Sequence, residues 1–184
     1  MIWSLPVSVE IDGKEFAIRN KCDYRVVLDC INAISDESLE LQYRVGCAIS
    51  IFYEKYEEIE NVELAYKEMM HVINIGKEDS QEECEKPKIM DWTHDFQQIA
   101  PPISRVLGYS VRDANKYTHW WDFVGAYMEI GECSWSNIVA IRSKRISGKK
   151  LESWEQDFYR QNKKLIDLPQ NLTEEEQEWL DSDW

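Results

Sequence analysis

Apolar and polar positions alternate at the start of the chain and then change period. In LPVSVEIDGKEFAI, Val7, Val9 and Ile11 alternate with polar residues, Asp12-Gly13 interrupts, and Phe16 and Ile18 resume the alternation. A period of two around an Asp-Gly pair predicts a β-hairpin over residues 5–18, closed by a type I′ turn. A two-residue turn pairs Ile11 with Lys14, Val9 with Phe16 and Val7 with Ile18. Two strands alone are marginal, so their apolar face is expected to lie on helices.

From Asp23 onward the period is helical. Asp23 is placed to cap a helix with Tyr24, Val27, Leu28, Ile31 and Ile34 on one stripe. A more apolar helix follows in ESLELQYRVGCAISIFY, and a third carries Ile59, Val62, Ala65, Tyr66, Met69, Met70 and Ile73 until Gly76 ends it. KEDSQEECEKPK has no period and reads as a mobile linker near 77–88. In DWTHDFQQIAPPISRVLGYSV, Trp92, Phe96 and Ile99 share a helical face that Pro101-Pro102 is expected to break, because each proline disfavours helical geometry in the residue before it.

Asp113 is placed to open the next helix, which contains THWWDF. On it Tyr117, Trp120, Trp121, Phe123, Val124, Tyr127 and Met128 span nearly half the circumference, with His119 on the polar border. SWSNIVAIRSKRIS then aligns Trp135, Ile138, Val139, Arg142 and Ile146, and Gly148 ends it. A last long helix puts Leu151, Trp154, Phe158, Gln161 and Leu165 on a narrow seam. Beyond Pro169, LTEEEQEWL offers a capping box, Thr173 with Glu176, and a short acidic helix bearing Trp179 and Leu180. The fold class is therefore mainly α: one helical domain over 1–168 with a short N-terminal β-hairpin, followed by an acidic C-terminal tail, 169–184. No internal repeat is visible.

Composition narrows the functions. The 184 residues are 43% hydrophobic and 30% charged, with a formal net charge of -14. That field opposes nonspecific attraction to nucleic acid and to anionic membrane. Eight of the basic residues, Arg142 to Lys164, crowd one segment, while 169–184 contains acids and no Lys or Arg. Weak docking of the tail on 142–164 is an expectation from that complementarity. The five cysteines are far apart and form no C-x-x-C pair, which reads as free thiols. There is no basic start followed by an apolar run, and no apolar stretch of membrane-spanning length.

Candidate chemistry is sparse. There is no nucleophile elbow, phosphate loop, H-E-x-x-H or dinucleotide fingerprint. His94-Asp95 and His119 with Asp122 are the His–acid neighbours, and such pairs on helices are more often surface or capping partners than general bases. Trp120 and Trp121 could stack bases, but stacking platforms sit in basic grooves, and only Lys116 lies nearby. Most of that face reads as core, although so broad a face has room for a second protein. Arg142, inside an apolar stripe, either runs its stem along that face to water or pairs with a carboxylate such as Asp122 or Asp113.

The landmarks LPVSVEIDGKEFAIRNKCDYRVVL, ELAYKEMMHVINIGKE, HWWDF and IVAIRSKRISGKKLESWEQDFYRQNKKL, in that order, resemble the bacteriophage gene-product-fifteen family of tailed phages and prophages of Gram-positive bacteria. The likeness runs from about Leu5 to Leu165 and leaves out the acidic tail. It implies a non-enzymatic tail assembly chaperone, without cofactor or metal, that acts in the cytoplasm of the bacterial host. The implied partners are the tape-measure protein and the major tail protein. On that reading the partner-binding residues are expected among Trp120, Trp121, Phe123, Tyr127, Trp154, Phe158 and Trp179; apart from the resemblance, the apolar setting of Arg142 makes Arg142 with Asp122 the expected structural ion pair. A structural virion component, such as a tail-completion or connector protein, and a nucleic-acid-associated regulator using 142–164 are the alternatives. Oligomerisation is left open.

Overall fold

The computed structural model describes residues 4–77 and 87–168. The linker expected near 77–88 lies largely outside the described residues, and the tail 169–184, with Trp179, lies wholly outside them. The protein is mainly helical with an N-terminal hairpin, as the periodicity predicts. The described residues gather into two compact units. One comprises 4–77 and 98–131, the other 87–97 and 132–168.

In the first unit, β1 (Ser8–Ile11) pairs antiparallel with β2 (Lys14–Ala17) in the expected register, Val9 opposite Phe16 and Ile11 opposite Lys14. Asp12 and Gly13 both take positive φ, 50° and 79°, as a type I′ turn requires. Ile11, Phe16 and Ile18 are buried while Val7 stays exposed. Three helices follow: α1 (Tyr24–Ser35), α2 (Leu41–Phe52) and α3 (Val62–Ile73). Asp23 caps α1 by accepting from the Arg25 amide at 3.0 Å. Tyr53, just past α2, is fully buried and donates its hydroxyl to the Ala65 carbonyl in α3 at 2.8 Å.

α4 (Trp92–Leu107) contributes its first residues to the second unit and the rest to the first. The break expected at Pro101-Pro102 does not occur, and the helix runs through both prolines. Neither proline can donate to the carbonyls of Gln97 and Gln98, but the fixed proline φ is itself helical. Ile99, Ala100 and Ile103 are fully or almost fully buried, and that packing outweighs the local penalty.

α5 (Trp120–Met128) also starts later than Asp113 predicts. The Asp113 carboxylate accepts from the Asn115 amide at 2.9 Å and so closes a turn instead of opening a helix. Arg25 holds that turn by donating to the carbonyls of Val111, Asp113 and Lys116. Tyr117 and Thr118 therefore precede the helix.

The second unit contains α6 (Ser134–Ile146), α7 (Ser153–Gln161) and α8 (Lys163–Ile166). The long seam expected over Leu151–Leu165 is two helices, not one, and it is Glu155 that is buried, while Trp154 is 49% exposed. Lys144 explains the inversion: its ammonium donates to both Glu155 oxygens at 2.7 and 2.8 Å, and the same carboxylate accepts the Glu152 amide at 2.8 Å. The Lys144 ammonium and those hydrogen bonds hold the Glu155 carboxyl below the usual glutamate range.

Candidate functional site

The aromatic run acts first as a fastening. His119 caps α5: its Nδ1 accepts from the Trp121 amide at 3.0 Å, so the proton sits on Nε2, which donates to the Pro6 carbonyl at 2.9 Å. Both ring nitrogens of this fully buried histidine are thus occupied, and it joins the hairpin entrance to α5. It is no surface residue and has no free nitrogen for proton transfer.

The two indoles finish another helix. Trp120 Nε1 donates to the Ile73 carbonyl at 2.8 Å and Trp121 Nε1 to the Val72 carbonyl at 2.9 Å. These are carbonyls of the last turn of α3, beyond its regular helical bonds; that of Val72 also accepts the Ile75 amide at 3.1 Å. The chain leaves α3 through Ile75 and Gly76 at φ 54° and 73°, and a Cβ on Gly76 would stand 3.4 Å from the Trp121 ring. On the other side, Phe123 stacks on Tyr24 at 4.3 Å with planes 1° apart, and Trp120 stacks on Phe123 at 5.8 Å. Asn20, Lys21 and Cys22 form a left-handed turn, with φ between 49° and 63°. The Tyr117 hydroxyl donates to the Lys21 carbonyl at 2.7 Å, and the Trp120 amide to the Cys22 carbonyl at 2.9 Å. Contacts from the aromatic segment thus hold that strained turn in place.

The sequence-predicted partner residues are therefore divided. Trp120 and Phe123 are buried and Trp121 and Tyr127 half-buried in the first unit. Trp154 is exposed and Phe158 half-buried in the second. Trp120 and Phe123 are committed to the core, because stacking and hydrogen bonding inside the unit use their faces and edges.

Arg142 forms a buried ion pair, but its partner is Asp95 and not Asp122, which is exposed on α5 in the other unit. The guanidinium grips both carboxylate oxygens at 2.7 and 2.8 Å. Its remaining donors reach the carbonyls of Ile89, Leu165 and Ile166 at 3.1, 2.9 and 2.6 Å, so all five N–H groups are used. Asp95 also accepts the Asp91 amide at 2.9 Å, while the Asp91 side chain accepts from His94 at 2.8 Å, a reciprocal closure of the start of α4. Local spacing conceals this pairing, since 47 positions separate its members.

Among the described residues no group of three or more His, Cys, Asp or Glu is arranged to hold a metal ion. Cys22 and Cys30 are free and buried, and burial pushes both thiols up to about 12, which withholds the reactive thiolate. No described helix is long and apolar enough to cross a membrane.

Among the described residues, one surface open to a partner is a shallow cleft in the first unit that sequence reasoning missed. It is lined by Glu40, Leu41, Gln42, Val45 and Val62. Leu41 and Val62 are the first residues of α2 and α3 and are 64% and 51% exposed. The available signal was an aliphatic residue at the first position of a helix, where acids and proline are favoured.

The family model described as Bacteriophage Gp15 protein matches residues 1–168. No curated protein and no solved structure is significantly similar to the chain.

Proposed function

This chain belongs to the Bacteriophage Gp15 protein family, and from that premise we propose that it is a tail assembly chaperone of the tape-measure and major tail proteins, acting in the cytoplasm of the bacterial host. The observation that carries the reading is the extent of the family match, which takes in every described residue. The surface chemistry supports it. A chaperone for a long apolar helix needs aliphatic surface to cover the client and surrounding charge to keep the complex in solution. Leu41 and Val62 supply bare aliphatic surface beside Glu40, and the net charge of -14 supplies the repulsion that opposes aggregation. Nothing in this role requires a bond to be made or broken. The buried histidine, thiols and ion pair serve the fold.

Co-expression with the tape-measure protein of the same phage tests the proposal. The expected result is a recoverable complex and a larger soluble fraction of the tape-measure protein. No complex and no gain in solubility would overturn it. Stoichiometric recovery of the chain in purified particles, read by mass spectrometry, would assign it to the virion structure instead.

A further inference from the structure

We infer that the cleft between the starts of α2 and α3 is the docking site for a basic amphipathic helix of the client, an assignment that rests on the chaperone reading. Its floor is aliphatic, formed by Leu41, Val45 and Val62. The first turns of two helices and the residue preceding α2 line it, so an incoming segment finds no sheet edge to extend and must bring its own backbone hydrogen bonds, as a helix does. Charge identifies the occupant further. Between Asp36 and Glu63 the chain carries eight carboxylates against two basic side chains, Arg44 and Lys55. Arg44 turns to the Ile34 carbonyl, and Lys55 lies beside Glu58. Lys14 also pairs with Glu58, but Glu40 lines the cleft itself and Glu60 and Glu63 flank Val62 in the chain, so two helix N-termini, each worth only about half a positive charge, do not reverse the sign. A client helix with an apolar stripe edged by Lys or Arg is complementary to both features. An acidic helix is repelled.

The probe is a labelled helical peptide of leucine and lysine with leucines at i, i+3 and i+4, and its leucine–glutamate counterpart is the control. Anisotropy titration against the full chain should show binding of the lysine peptide that weakens with salt and no binding of the glutamate peptide. Leu41→Glu with Val62→Glu should weaken it by about tenfold or more, as loss of a central apolar anchor does. Met128→Glu, at an exposed apolar position on α5, should leave it unchanged. Glu40→Lys with Glu63→Lys should weaken it and flatten the salt dependence. Circular dichroism checks folding, and Leu41→Ser with Val62→Ser replaces the glutamates if those perturb it.

Equal affinity of the cleft variants and the wild type, or equal binding of the two peptides, would overturn the assignment. So would self-association of the wild type that the cleft variants abolish without any peptide binding, since the occupant would then be a second copy. Co-expression with the tape-measure protein separates the two claims. No complex with the wild type defeats the chaperone reading, whereas a complex formed equally by the wild type and the cleft variants defeats only this site.

Discussion

Replacing Asp95 by alanine strands a guanidinium that is only 4% exposed. Arg142 loses two charge-assisted hydrogen bonds of 2.7 and 2.8 Å and keeps three to backbone carbonyls, while the Asp91 amide loses its acceptor. Breaking a buried pair from one side costs about 3–5 kcal/mol, against a total of roughly 5–15 kcal/mol for a domain. Asp95→Ala should therefore populate the unfolded second unit measurably in native buffer. With eight tryptophans spread along the chain, bulk fluorescence would blur the units. Hydrogen exchange read by peptide resolves them. Amides of 134–146 should lose protection in Asp95→Ala while those of α1 and α3 keep theirs. A double-mutant cycle of Asp95→Ala with Arg142→Met should give a coupling of about 2 kcal/mol or more, and Asp122→Ala with Arg142→Met should be additive within about 0.5 kcal/mol. A loss under about 1 kcal/mol for Asp95→Ala, or coupling of Arg142 to Asp122, would refute the reasoning.

His119→Ala removes the α5 cap and the Pro6 contact together and should cost about 2 kcal/mol. His119→Asn, which retains a cap acceptor, should cost less, as thermal melts would show. Trp120→Phe keeps the stack but removes the donor to Ile73, so the last turn of α3 should exchange faster for a loss near 1 kcal/mol. Cys22 and Cys30 titrate near 9 when unfolded and about 12 when folded, so their stabilising contribution is full below pH 9 and is lost as pH rises toward 12. Each thiol should take about 1.4 kcal/mol per pH unit from stability in that window. Urea midpoints measured from pH 8 to 11 check this, and native thiol labelling should reach the exposed Cys47 before either.

Much of the fold was legible because it depends on short-range chemistry. The hairpin register followed from a side-chain period of two and an Asp-Gly pair that accepts positive φ. The α1 cap followed from Asp23, and the end of α6 from Gly148, which takes φ 65°. The ordered landmarks were enough to point to the family. Partner identity was not legible, since any of 35 acidic residues was a candidate for Arg142 and only the folded chain brings one within reach. The same holds for His119, whose Nε2 meets a carbonyl 113 positions away. Where local preference and packing conflicted, packing decided: α4 continues through two prolines because Ile99 and Ile103 are buried on either side of them. Glu155 lies inside and Trp154 outside because an ammonium on another helix satisfies the carboxylate. Periodicity records which residues prefer to leave water. The groups that meet them there are set by contacts between segments distant in the chain, and these exist only once the chain has closed on itself.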